Sequence, residues 1–251
     1  MRSTLAAVML VAISRWQGAR FPATWREWRP FAALATFSCA LPFVLLGFAQ
    51  QRIDSGLAAI LVATTPMFTM LFGLRSAGRR PAALQWLGIA LGLGGVVALV
   101  GYDSLSTLGA ATLPQLVVLF VAVSYAVGIR VATQTYSYAP TVSGACTLSL
   151  ASLILWPISL AVEAPWSMQP TADSWIALVL LVLLGSVVAS ILYYQVIRMA
   201  GATFVSLSTY LNPPVAIVAG ALVLGEGLAL SALAAMLMIL AGVALVGRRP
   251  A

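Results

Sequence analysis

The chain has 251 residues, 62% of them hydrophobic and only 8% charged, against about a quarter charged in a soluble domain; this excludes a soluble globular protein and indicates a polytopic membrane protein. All 13 basic residues are arginine and there is no histidine, which excludes histidine-based catalysis and the commonest metal ligand and proton shuttle. The net charge of +7 is scattered between apolar segments rather than gathered on one polar face, so it concerns membrane orientation and excludes a nucleic-acid partner.

The first apolar segment, Thr4 to Ser14, is half the length of a span and lies between Arg2 and Arg15. Segments of about 20 apolar residues, the length that crosses a bilayer, follow at 29–49, 54–74, 82–101, 109–129, 139–162, 174–197, 202–224 and 229–247. Backbone groups in lipid must satisfy one another, and no segment alternates with the period of two of a membrane barrel, so these spans are helices. The expected fold is all-α, a polytopic membrane helix bundle of about nine transmembrane helices. Cys39 and Cys146 lie singly within apolar segments and read as small buried hydrophobes, not as a disulfide or a metal site.

Placed on alternate sides of nine spans, eleven arginines (Arg15, Arg20, Arg26, Arg29, Arg75, Arg79, Arg80, Arg130, Arg198, Arg248 and Arg249) share the side of the C-terminus, against Arg2 and Arg52 on the other. The positive-inside rule then puts the C-terminus in the cytoplasm of an inner (plasma) membrane. Reading Thr4–Ser14 as a signal peptide would put Arg15, Arg20, Arg26 and Arg29 outside, against the bias downstream. The count therefore predicts one more helix missing upstream of Met1, or a misassigned start codon.

A shift of 147 residues lays ILVATTPMFTMLFGLRSAGRRPAALQWLGIALGLGGVVAL on LSTYLNPPVAIVAGALVLGEGLALSALAAMLMILAGVALV, matching Pro66 to Pro213, Gly73 to Gly220, Gly78 to Gly225 and Gly95-Val96 to Gly242-Val243. Each copy reads as an apolar helix with a mid-helix proline, a glycine-containing turn and a helix rich in small residues. The turns fall on opposite sides of the membrane by the arginine count. Halves of opposite orientation mark inverted-repeat transporters, whose sites lie near the midplane.

The stretch YLNPPVAIVAGALVLGE (Tyr210 to Glu226) resembles the closing part of the EamA-type repeat of the drug/metabolite transporter superfamily, and VSYAVGIRV (Val123 to Val131) resembles the opening of that family's second repeat. The resemblance covers essentially the whole chain: residues 1–102 as a first repeat without its opening helix, 108–247 as the second, and 248–251 as a cytoplasmic tail. The family norm it implies is ten helices in two inverted repeats, with both termini cytoplasmic and mostly export of small metabolites. The first copy departs from the pattern at SAGRR, where Arg79 stands opposite Glu226.

Pro213 and Pro214 remove backbone donors, so the carbonyls of Thr209 and Tyr210 need other partners, which a polar cavity or neighbouring helices supply. Ser206, Thr209, Tyr210 and Pro213 share one helical face, with Asn212 beside it. Ser190 and Tyr193 form a second stripe with adjacent Tyr194; Tyr125 lies deep in its span, and Thr65 and Thr69 flank Pro66. This set of hydroxyls, aromatic rings and one amide is the expected substrate-binding set, suited to an amphipathic or cationic metabolite. Pro66, Pro213, Pro214 and Glu226 are the expected helix-break or gating residues, and packing is the competing role for all of them. The run GIALGLGG (Gly88 to Gly95) reads as scaffold that lets helices approach closely, with homodimerisation as a further use.

No carboxylate, histidine or lysine falls near the middle of a span, which argues against an intramembrane enzyme, a metal or other cofactor, and a carboxylate proton relay. A channel lacks its ring of charges or carbonyl filter. The expected function is a secondary transporter, an exporter of small metabolites or amphipathic compounds by alternating access, with the small molecule and the lipid bilayer as partners. The alternative is a start-truncated, non-transporting bundle with a packing or partner-binding role.

Overall fold

The structure, a computed structural model, describes residues 1–53, 55–77, 83–100, 112–162, 171–212, 214–215 and 230–247. Among these there is no strand, and the helices are α1 (Arg2–Trp16), α2 (Trp25–Ala49), α3 (Ser55–Val62), α4 (Thr65–Ala77), α5 (Ala83–Val100), α6 (Thr112–Ala132), α7 (Pro140–Val162), α8 (Ala172–Ser206) and α9 (Leu230–Gly247). Trp25–Ala49, Thr112–Thr135, Pro140–Ala161 and Ala172–Ser206 are long and apolar enough to cross a membrane. At 18 residues each, α5 and α9 extend about 27 Å, close to a hydrocarbon core of about 30 Å. Pro213, Glu226 and the tail 248–251 lie outside the described residues.

The expected span 54–74 is divided: α3 stops at Val62 and α4 begins at Thr65. Pro66 has no N–H to give the carbonyl four residues back, and its ring crowds that carbonyl, so the ladder breaks one turn ahead of it. α2 and α8 run further than the apolar pattern indicated. Each contains a turn of π-helix, at Ala35–Ala40 and Leu183–Val188; the first immediately precedes Leu41-Pro42. α8 also carries a non-helical residue, Gly201, at φ +86°, a conformation that glycine adopts at little steric expense.

The shift of 147 residues recurs in these elements. It carries Thr24, which precedes α2, onto Thr171, which precedes α8, and it lays Ala83–Val100 on Leu230–Gly247, end to end. The second π-helical turn begins 148 residues after the first, at 183 against 35.

The chain forms two compact units: Met1–Leu41 with Val131–Gly201, and Pro42–Arg130 with Ala202–Ala251. Each draws chain from both of the halves expected from the sequence, 1–102 and 108–247. In the first unit α1 lies along α7, the π-helical turn of α2 packs on α7, and that of α8 packs on α1. Ala6, Ala7 and Leu10 form the buried stripe of α1 and share a core with Ala145, Leu148 and Ala151 of α7. Hydrocarbon tails are as apolar as these side chains, so close van der Waals packing of small residues holds such helices together. A Cβ on Gly144 would sit 3.1 Å from Leu10 and 3.2 Å from the Ser190 Cβ, so this glycine sets the approach of α7 to both α1 and α8.

In the second unit α5 lies along α9. Gly88 faces Gly242, and Gly95 faces Ala235 and Ile239. The internal shift carries Gly88 to 235 and Gly95 to 242, so these contacts are images of one another under the repeat. Gly92 instead receives the ring of Tyr210, which a Cβ there would meet at 2.6 Å. The glycine run Gly88–Gly95 is thus filled from within the chain. A smaller core joins Ala49, Leu57, Ala58, Leu61 and Val118.

Candidate functional site

In the second unit the helix break before Pro66 is repaired by threonines. The Thr65 hydroxyl donates to the Val62 carbonyl at 2.6 Å, the carbonyl that Pro66 leaves without an amide. Thr64 donates to Leu61 O at 2.6 Å and Thr69 to Thr65 O at 3.0 Å. Thr65, Pro66 and Thr69 are all buried. Each hydroxyl keeps lone pairs for a further donor, since one hydroxyl carries one O–H and two acceptor positions.

A second break lies at Leu207, whose amide donates to Phe204 O, while Tyr210 N donates to Leu207 O. Ser206 and Thr209 donate to the carbonyls of Thr203 and Ser206, at 2.7 and 2.9 Å. Ser206 and Tyr210 are fully enclosed, Thr209 is half-buried, Asn212 is exposed and Pro214 is buried. The Tyr210 hydroxyl donates to Ile89 O at 3.2 Å, so this ring is a wedge seated on α5. Leu207 and Tyr210 share one core with Ile60, Ala63 and Met70, which brings the two broken helices together. Tyr125 is half-buried on α6, next to the buried Ser124.

In the first unit, α8 places Ser190, Tyr193 and Tyr194 together. The Tyr194 hydroxyl lies 2.7 Å from that of Thr147 on α7, both buried. Tyr193 is half-buried and meets Tyr194 edge to face, with ring centroids 5.2 Å apart. Ser190, half-buried, stands one turn earlier against Gly144. Thr147 had no signal in the sequence, because its partner is 47 residues away and one threonine in an apolar helix is unremarkable. Cys39 and Cys146 are buried free thiols.

At one end of this unit the Glu27 carboxylate accepts from the amides of Ala23 and Thr24, at 2.6 and 3.2 Å, and from Arg20 at 2.9 Å. It thereby caps the first turn of α2 with its own charge. Tyr138, in the turn before α7, has its phenol pushed above the ordinary tyrosine value, first by partial burial and then by the Glu27 carboxylate. Among the described residues no group of three or more His, Cys, Asp or Glu is placed to hold a metal ion. The chemistry on offer is hydrogen bonding from hydroxyls and contact with aromatic faces.

Comparison with known proteins agrees with this architecture. The EamA-like transporter family profile matches residues 1–101 and 112–248. The chain is 28% identical over 231 residues to the uncharacterized inner membrane transporter YedA of Escherichia coli (strain K12), covering 90% of this chain and 73% of that one. It is 26% identical over 217 residues to an uncharacterized transporter of Archaeoglobus fulgidus, covering 84% and 73%. A solved crystal structure at 17% identity has the same fold, with a TM-score of 0.80 over 98% of this chain and 85% of its own. The chain is an integral membrane protein and belongs to the EamA-like transporter family.

Proposed function

We propose that the protein is a secondary transporter that exports small metabolites or amphipathic compounds by alternating access of two inverted repeats, residues 1–102 and 108–247, with its C-terminus in the cytoplasm. The observation that carries the reading is the pair of helix breaks at Ala63-Thr64 and at Leu207, where side-chain hydroxyls hold backbone carbonyls. Irregular backbone at membrane depth is stable only when buried in protein or lining a wet cavity, and carriers of inverted-repeat design place their substrates beside such discontinuous helices. Thr65, Thr69, Ser206, Thr209, Tyr210 and Asn212 belong to these segments, with Tyr125 in the same unit, while Ser190, Tyr193 and Tyr194 form a hydroxyl and aromatic group of their own in the first unit. Such a set offers apolar area, hydrogen bonds and cation–π contact without a fixed charge.

The test is flux of small amphipathic compounds, aromatic amines among them, from reconstituted vesicles. The reading expects efflux above protein-free vesicles that falls when Tyr125 is replaced by Ala. No flux for any compound of this class, or wild-type flux from Tyr125→Ala, would remove it.

A further inference from the structure

Where the end of α1, the first turn of α7 and the last turns of α8 before Gly201 meet, the first unit holds an open recess of about 550 Å³. Its polar lining comes from Gln17, Thr141, Gln195 and Arg198, and Ile191 and Met199 contribute apolar rim. Ile191, Gln195 and Arg198 are spaced i, i+4, i+7 and so share one face of α8. The Thr141 hydroxyl donates to the Gln17 side-chain carbonyl at 2.9 Å, which occupies the acceptor of that amide and leaves its two N–H groups to be matched. Arg198 has no hydrogen-bond or ion-pair partner among the described residues.

The acids that could compensate it are elsewhere. Of the two described carboxylates, Glu27 is held by Arg20 and two backbone amides, and Asp173 lies in the first turn of α8, at the opposite end of that helix. Arg15, Arg20, Arg26 and Arg29 flank the facing ends of α1 and α2, and like charges gathered at one end raise the local anion concentration. A recess with N–H donors, a planar guanidinium, no carboxylate and an apolar lip is complementary to a phosphate carried at the end of an apolar body. Arginine matches phosphate oxygens with two parallel N–H donors, which a lysine cannot do.

We propose that this recess binds a phosphate group whose negative charge is not neutralised within its own molecule, with Arg198 as its charged anchor and Gln17 and Gln195 as its amide donors. Two sources present that chemistry: the headgroup of an anionic phospholipid, and free phosphate. None of the residues that line the recess is among the hydroxyl and aromatic groups assigned to transport.

The test uses the full chain, purified in neutral detergent, with bound lipid counted by native mass spectrometry and stability followed by thermal unfolding. The probes are phosphatidylglycerol, phosphatidylcholine as the zwitterionic control, and inorganic phosphate alone. Wild type should retain phosphatidylglycerol and unfold at a higher temperature with it than with phosphatidylcholine. Arg198→Gln should weaken that binding about tenfold or more, the worth of a charge-assisted hydrogen bond. Arg198→Lys should fall between, and Arg26→Gln, which removes a charge outside the recess, should weaken binding only slightly, by far less than Arg198→Gln does. Protection by phosphatidylglycerol alone assigns the site to lipid, whereas equal protection by inorganic phosphate assigns it to the free anion. Equal retention of both lipids, undiminished binding by Arg198→Gln, or an equal loss in Arg26→Gln would overturn the proposal. Flux enters none of these readouts, so their failure would leave the transport reading untouched.

Discussion

Gly88 and Gly242 meet backbone to backbone: a Cβ on Gly88 would lie 2.7 Å from the Gly242 carbonyl oxygen, and one on Gly242 would lie 2.6 Å from that of Gly88. Since a carbonyl cannot retreat as a flexible side chain can, Gly242→Ala should destabilise the protein by about 1–3 kcal/mol, the usual effect of overpacking. Gly47→Ala and Gly73→Ala, where a Cβ meets nothing within 4 Å, should stay within about 0.5 kcal/mol of wild type. Thermal or denaturant unfolding in detergent checks all three.

Tyr210 and Gly92 form a wedge and slot, and their substitutions should not add. Gly92→Ala pushes a methyl into the Tyr210 ring, whereas Tyr210→Ala removes the ring and leaves a cavity costing about 3–5 kcal/mol. In the double variant the new methyl enters vacated space. The double variant should therefore be more stable than the sum of the single changes by about 0.5–3 kcal/mol. Additivity would mean that the ring does not occupy this slot.

Much of the fold was legible because an apolar run of bilayer length is itself the folding instruction. The expected segments 139–162 and 229–247 correspond to Pro140–Val162 and Leu230–Gly247. The split of 54–74 was less legible, since hydropathy is blind to hydrogen bonding; the sequence Thr64-Thr65-Pro66, a proline preceded by hydroxyls, was its one local signal. Among the candidate residues, the grouping of Ser190, Tyr193 and Tyr194 on one helix was visible in their spacing. Thr147, Gln17 and Thr141 were not, because their significance comes from partners 47 and 124 residues away. For Tyr210 the shared helical face was visible, but the surface it meets, Gly92 and Ile89 of α5, depends on helix pairing that periodicity does not specify.

The threonine at the break should be needed only while the proline is present. Thr65→Val leaves the Val62 carbonyl unpaired and should destabilise by about 1–3 kcal/mol, the penalty for a buried unsatisfied polar group. In a Pro66→Ala background the restored amide can take that carbonyl, so the same substitution should have a smaller effect. Hydrogen exchange over residues 63–67 should slow in Pro66→Ala as the ladder closes.

Thr147 and Tyr194 share one buried hydrogen bond, so Thr147→Val and Tyr194→Phe should each destabilise, and the pair together by less than the sum. Couplings of this kind within membrane proteins average about 0.6 kcal/mol. A double-mutant cycle on unfolding in detergent measures it, and a coupling of zero would place the hydroxyls in separate environments.

Alternating access is the central claim, and counterflow tests it most directly. Vesicles containing the protein are loaded with an unlabelled compound that it exports and diluted into a trace of the same compound in labelled form. An alternating-access carrier should draw label inward above its equilibrium level before it declines, because each outward passage returns the binding site for an inward one. Monotonic equilibration without that overshoot, or no uptake above protein-free vesicles, would contradict the account.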